Sequence, residues 1–315
     1  MPYHVMISDT PPDSVTSAFE GRCDVQIWPQ EGPSDEQLNR IQGFVTYGHM
    51  RVNGALMDRM PHLKVISAFG VGVDHINLQD AGDREILVGN TPNIVNGATA
   101  DMTFALLLAA TRNLLIGDAY ARGPEFTVYD LNILHGGDAF GATLGIVGMG
   151  KIGKEVARRA RAFDMRILYH NRNRDTQAES DLGVEYRTLD ELLAESDFIT
   201  LNCPLTEETH HLIGEREFAL MKEKAVLVNV ARGGVVDHDA LFETLQSRRI
   251  ACAAVDVTEP EPLPRDHPLL ALDNIIIAPH LGTATRQTRQ RMAQRCVDNL
   301  LAGLEGKPLP SEIKA

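Results

Sequence analysis

Tryptophan occurs once among the 315 residues and cysteine four times. No apolar run approaches the roughly eighteen residues that a membrane-crossing helix needs. The longest candidate, Phe104 to Ala110, is far shorter and reads as buried helix, so no membrane partner is expected. Cys23, Cys203, Cys252 and Cys296 are scattered without paired spacing, which argues against both a disulfide framework and a zinc site. Reduced thiols and no metal centre are the expectation. The opening Met-Pro-Tyr-His-Val-Met-Ile-Ser-Asp has no basic stretch followed by an apolar one, so a cytoplasmic location is expected by default. Positive charge is also scarce, with 30 Lys and Arg against 43 Asp and Glu and a net charge of −13. Such a body repels nucleic acid and anionic lipid at long range. It repels anionic metabolites too, so an enzyme acting on them must build a local positive site.

What is present is the composition of a globular protein, 43% hydrophobic and 23% charged, in a chain long enough for two cores. Short apolar runs at Val5 to Ser8, Val25 to Trp28, Phe44 to Tyr47, Val65 to Ala68 and Ile86 to Val88 alternate with helical stretches, the rhythm of a parallel α/β unit. Ser34 and Asn53 stand where helix caps are expected. One long helix is predicted from about Ala98 to Arg122, closed by Gly123-Pro124. A second series follows, with strands near Thr143 to Val147, Arg166 to His170, Phe198 to Leu201, Val226 to Val230, Cys252 to Asp256 and Ile275 to Ala278. Six strands with intervening helices match a doubly wound nucleotide-binding domain. A last helix from about Thr283 to Leu304 carries Met292, Cys296, Leu300, Leu301 and Leu304 on one face and is expected to return to the first lobe. The predicted fold is therefore α/β with two Rossmann-like or flavodoxin-like lobes. A dinucleotide-binding domain, residues 99–283, is inserted into a discontinuous substrate-binding domain, residues 1–98 and 284–315.

Leu144-Gly-Ile-Val-Gly-Met-Gly-Lys-Ile-Gly places Gly148, Gly150 and Gly153 in G-x-G-x-x-G spacing. The pattern is common alone, but here a strand precedes it and a helix and second strand follow. The first glycine permits a tight turn, the second lets backbone approach a pyrophosphate, and the third packs helix on strand. Met149, Lys151 and Ile152 fill the rest of this loop. At the end of the next strand an NAD-specific site carries an acidic residue for the ribose 2′-hydroxyl, whereas this chain reads Tyr169-His-Asn-Arg-Asn-Arg. Asn171 removes the carboxylate, and Arg172 and Arg174 can bind a 2′-phosphate. NADP(H) is the expected preference, with NAD(H) as a possible second cofactor.

Three further segments fall at the ends of predicted strands, where an open α/β sheet presents its active site. They are Asn229-Val-Ala-Arg-Gly-Gly-Val-Val-Asp, Asp256-Val-Thr-Glu-Pro-Glu-Pro-Leu-Pro and Ala278-Pro-His-Leu-Gly-Thr-Ala-Thr. With Ala68-Phe-Gly-Val-Gly-Val-Asp-His-Ile-Asn and the Gly-rich loop, they make the chain resemble the D-2-hydroxyacid dehydrogenase family over nearly its whole length. The resemblance implies that Arg232 binds a substrate carboxylate, that His280 is the proton donor or acceptor, and that Glu261 hydrogen-bonds the histidine. Elementary chemistry agrees, because reducing a 2-keto acid needs a cation for the carboxylate and carbonyl and an acid for the developing alkoxide. A carboxylate beside an imidazole favours its charged form and fixes its orientation. Glu261 is preferred to Glu259 because the family glutamate directly precedes the proline found here as Pro262. The resemblance further implies substrate contacts from the backbone of Val71, Gly72 and Val73 and a nicotinamide-lining Thr99, while Asp74 and His75, which follow that loop, are read as structural residues that hold it. Cofactor contacts are likewise implied at Cys203, Pro204, Thr209, Val230, Ala231, Asp256, His280 and Gly282.

Asp256 to Leu270 and the ending from Asn299 to Lys314 resemble the glyoxylate and hydroxypyruvate reductase branch, which implies reduction of small 2-keto acids to D-2-hydroxy acids by a homodimer. Formate dehydrogenases carry glutamine where Glu261 stands. Phe126 to Phe140 lacks the tryptophans of animal glyoxylate reductases, so larger 2-keto acids stay open as substrates. A cofactor-sensing binding module resembling the family's corepressors is the alternative of another class.

Overall fold

The computed structural model describes residues 2–11 and 13–314. The chain divides into two compact units, Met1–Val95 with Thr285–Ala315, and Asn96–Ala284.

In the first unit a six-stranded sheet runs in the order Glu312–Ile313, Leu87–Gly89, Val65–Ala68, Gly43–Thr46, Tyr3–Ile7, Cys23–Ile27. The five longer strands are parallel, in the second-first-third-fourth-fifth order of flavodoxin-like sheets. The two-residue strand at the C-terminal end joins antiparallel beside Leu87–Gly89. Gly43–Thr46 and Val65–Ala68 are buried throughout, as expected for parallel strands covered on both faces. The helix Arg286–Leu304 packs on this sheet. A Cβ on Gly89 would lie 2.8 Å from the Asn299 side chain, and one on Gly303 would lie 2.6 Å from Val65. Buried Asn299 donates to Asn90 O and accepts from Ser311 N, so the polar group is satisfied where it ties helix to strand end.

The second unit holds a seven-stranded parallel sheet in the order Ile275–Ile277, Cys252–Val255, Val226–Asn229, Phe198–Leu201, Thr143–Val147, Arg166–His170, Glu185–Tyr186. Its strand order reverses between Thr143–Val147 and Phe198–Leu201, the switch point at which doubly wound sheets bind ligands. The six expected strands are joined by a seventh, Glu185–Tyr186, which is too short for periodicity to reveal. Thr188 and Glu191 form the capping box that opens the helix Leu189–Glu195.

The single helix expected from 98 to 122 is instead two, Asn96–Thr111 and Leu114–Arg122, bent by 59°. Asn113 takes a left-handed φ of 50° at the break, a conformation asparagine tolerates better than most residues. The segment 134–137 crosses there: Gly137 N donates to Thr111 O, and the Asn113 amide reaches Leu134 O and His135 O. Tertiary hydrogen bonds have replaced helical ones, which an apolar pattern cannot register. Among the described residues no single helix is long and apolar enough to cross a membrane.

Candidate active site

The strands of the second unit end nearly in register, with Val147 opposite His170 and Leu201, and Asn229 opposite Val255. Apart from Thr99, every candidate residue in this unit lies on or beside a loop leaving those carboxyl ends. Gly148 has a φ of 101°, and a Cβ there would lie 2.5 Å from Cys203 N. A Cβ on Gly153 would meet Gly148 O at 2.2 Å, whereas Gly150 faces open space. The first and third glycines therefore fold the loop, and the second leaves room for a ligand at the N-terminus of the helix Lys151–Arg161. Two buried polar atoms near the same edge, Thr99 Oγ1 and Asn202 Nδ2, have no hydrogen-bond partner among the described residues. Open space at Gly150, a helix terminus and orphaned polar atoms fit a dinucleotide.

Asn171 accepts from Met149 N at 2.6 Å and so braces the Gly-rich loop from the neighbouring strand end. The two arginines beside it differ. Arg174 grips Glu179 with two bonds of 2.7 Å and lies over the Tyr186 ring. Arg172 is exposed and makes no ion pair among the described residues. Glu179 also accepts from the buried Tyr169 hydroxyl. Arg174, then Tyr169, hold its carboxyl down at about 2. Thr209 donates to Pro204 O and accepts from Thr206 N, closing the loop after Cys203. Burial pushes the Cys203 thiol up to about 11, so it stays an inert thiol.

The structure brings Glu261 and His280 together, with Glu261 Oε1 2.6 Å from His280 Nδ1 and both side chains about one-third exposed. This contact fixes the orientation of the ring. His280 has a φ of 57°, a left-handed conformation that costs energy for a histidine and marks an over-determined loop. Asp256, 2% exposed, over-determines it. Its backbone O accepts from His280 N at 2.9 Å, and its two carboxylate oxygens accept from Leu281 N at 2.6 Å and Gly282 N at 2.7 Å. Burial raises the Asp256 carboxyl above its ordinary range, and the two amide bonds pull the other way.

Arg232 follows the strand Val226–Asn229 and is oriented by a residue that pattern reading passed over. Buried Asn229 donates to Arg232 O at 2.9 Å and accepts from Ala231 N at 3.0 Å. Its signal was one polar residue closing an apolar strand. Gly233 then lies so close to the Thr258 backbone that a Cβ would approach within 2.0 Å, which packs the Arg232 loop against the 256–262 loop. Val230 is buried, while Ala231 is partly exposed.

In the first unit, the loop after Val65–Ala68 carries Val71, Gly72 and Val73. Asn90 Nδ2 donates to Val71 O, Thr91 N to Gly70 O and Ile76 N to Val73 O. These bonds occupy carbonyls and hold the loop in place. His75 bonds Thr46 Oγ1 through its ring.

Residues 104–282 match the family profile described as D-isomer specific 2-hydroxyacid dehydrogenase, NAD binding domain. A curated glyoxylate reductase from Korarchaeum cryptofilum is 41% identical over 313 residues, 98% of this chain and 94% of its own. The chain belongs to the D-2-hydroxyacid dehydrogenase family. Membership makes it an oxidoreductase with a nicotinamide-binding domain. Two solved family structures hold nicotinamide cofactors. An NADPH-dependent glyoxylate/hydroxypyruvate reductase from Sinorhizobium meliloti, in complex with NADP and malonate, is 28% identical with a TM-score of 0.88, covering 99% of this chain and 97% of its own. A D-lactate dehydrogenase from Aquifex aeolicus, complexed with NAD and lactic acid, is 28% identical with a TM-score of 0.89, covering 99% of each chain.

Proposed function

We propose that this D-2-hydroxyacid dehydrogenase reduces glyoxylate, hydroxypyruvate and similar small 2-keto acids to D-2-hydroxy acids, with NADPH preferred. The observation that carries the reading is the Glu261–His280 pair, in which the carboxylate meets Nδ1 at 2.6 Å and fixes the orientation of the ring. Reduced nicotinamide, when bound, supplies the hydride. Arg232 binds the substrate carboxylate and polarises the carbonyl, supplying the local positive charge that a body of −13 otherwise lacks. His280 gives its Nε2 proton to the alkoxide oxygen, and Glu261 stabilises the charged ring and its orientation through Nδ1. Asp256 and Asn229 are positioning residues, since each acts by fixing the loop that carries His280 or Arg232. Val71, Gly72 and Val73 are proposed to contribute backbone N–H groups for an anion.

The cofactor preference rests on Arg172, with Arg174 in a supporting role. Two bonds to Glu179 leave the Arg174 guanidinium three of its five N–H donors. A homodimer is also proposed. Leu114, Leu115, Ile116, Phe126, Val128 and Tyr129 are all more than 40% exposed, and large apolar side chains concentrated in this way mark interaction surfaces.

The test is a panel of 2-keto acids, from glyoxylate and hydroxypyruvate to branched analogues, each assayed with NADPH and NADH. The expected result is turnover of the small acids with the higher kcat/KM for NADPH. No turnover with any of them would overturn the proposed reaction. Equal or better use of NADH would overturn the cofactor assignment alone.

A further inference from the structure

The histidines at 210 and 211 belong to none of the roles above. They lie in the turn after Pro204, with rings stacked at a centroid distance of 3.9 Å. His211 Nε2 is 3.3 Å and His210 Nε2 is 3.7 Å from the same oxygen, Oε2 of Glu259. One donor atom from each of the three residues lies within 4.8 Å of the others. Bonds of about 2.0–2.1 Å in a tetrahedral zinc site put its donor atoms about 3.3 Å apart. The two His–Glu separations are therefore within a few tenths of an ångström of a ligand edge. We propose that His210, His211 and Glu259 form a surface site for one divalent transition-metal ion of the zinc, nickel or cobalt class.

The surrounding residues hold the set in place. His211 has a left-handed φ of 51° and donates its backbone N–H to Gly234 O at 2.7 Å. Its other ring nitrogen, Nδ1, faces Asp237 Oδ2 at 3.8 Å. Asp237 Oδ1 meanwhile caps the helix His238–Gln246 by accepting from Asp239 N and Ala240 N. A carboxylate behind a ligating histidine is the second layer that orients imidazole and raises its basicity in metal sites. Gly234 sits against Glu259, where a Cβ would lie 3.0 Å from Oε1, so that carboxylate is confined beside the rings. Imidazole and carboxylate donors select zinc-class ions over magnesium or calcium, which prefer all-oxygen shells. All three ligands are partly exposed, so water completes the coordination. Adjacent histidines give no metal-binding spacing in the sequence, because the glutamate comes from a distant loop.

Tag-free protein titrated calorimetrically with zinc, and with cobalt monitored by visible absorption, tests the site. The account predicts one equivalent per chain and the intense visible bands of tetrahedral cobalt. His210→Ala, His211→Ala and Glu259→Gln should each weaken binding at least tenfold, Asp237→Asn by about tenfold, and His280→Gln not at all. All five positions allow a melting curve to confirm that the variant is folded. Wild-type protein without saturable binding overturns the proposal. So does a His210→Ala/His211→Ala double variant that keeps its affinity, or loss of binding in His280→Gln.

Discussion

Replacing Asp256 by asparagine isolates what holds the His280 loop. The carboxylate accepts Leu281 N at 2.6 Å and Gly282 N at 2.7 Å, one on each oxygen, in a residue 2% exposed. Asparagine has one acceptor oxygen, so its NH2 group must face one of these two backbone N–H groups. A hydrogen bond to a charged group contributes about 1.5–3 kcal/mol, and a buried unpaired donor costs a similar amount. Burial raises the Asp256 carboxyl, so removing the charge returns part of that cost. The net loss is about 2 kcal/mol, equivalent to roughly 4–8 °C in the melting temperature of this unit. If that energy goes into misplacing His280, kcat falls by about thirtyfold. Calorimetry and steady-state reduction of glyoxylate measure the two effects. The loop argument fails for an Asp256→Asn protein that melts and turns over like wild type.

Three other outcomes follow from the same geometry. Arg172→Asp should lower kcat/KM for NADPH at least tenfold, because it removes a charge-assisted bond and adds repulsion to the 2′-phosphate; an unchanged NADPH/NADH ratio would remove Arg172 from the site. Glu179, held at about 2 against an ordinary 4.5 by Arg174 and then Tyr169, contributes stability that is complete above about pH 4.5 and lost as pH falls through about 2. Tyrosine absorbance should report that loss in wild type and not in Glu179→Gln, and identical acid titrations would contradict it. Val128→Lys combined with Leu131→Lys, both in the exposed stretch after Leu114–Arg122, should shift the mass by light scattering from dimer to monomer; a dimer that persists moves the interface elsewhere.

Both sheets were legible because parallel strands covered on two faces carry continuous apolar runs, and Val65–Ala68, Thr143–Val147, Arg166–His170 and Phe198–Leu201 fall where those runs lie. Glu185–Tyr186 and Glu312–Ile313 were not, since two residues have no period and pair only because a neighbouring edge is already in place. The break at Asn113 depends on hydrogen bonds to residues more than twenty positions away. Glu261 and His280 could be named from motifs, and their 2.6 Å contact fits the expected pairing. The difference between Arg172 and Arg174 could not be read, because it turns on Glu179, five residues beyond Arg174 and brought back by a helix. Asp256 was expected only as a cofactor contact, and its grip on three successive amides needs coordinates.

The most direct test of the central claim is the turnover of His280→Gln with NADPH and glyoxylate, measured beside NADPH binding by fluorescence. Glutamine keeps a polar side chain but has no acidic proton to give, so kcat should fall by about 10²–10⁴-fold while NADPH affinity stays within about twofold. Turnover near the wild-type rate with the cofactor bound as tightly would contradict His280 as the proton donor.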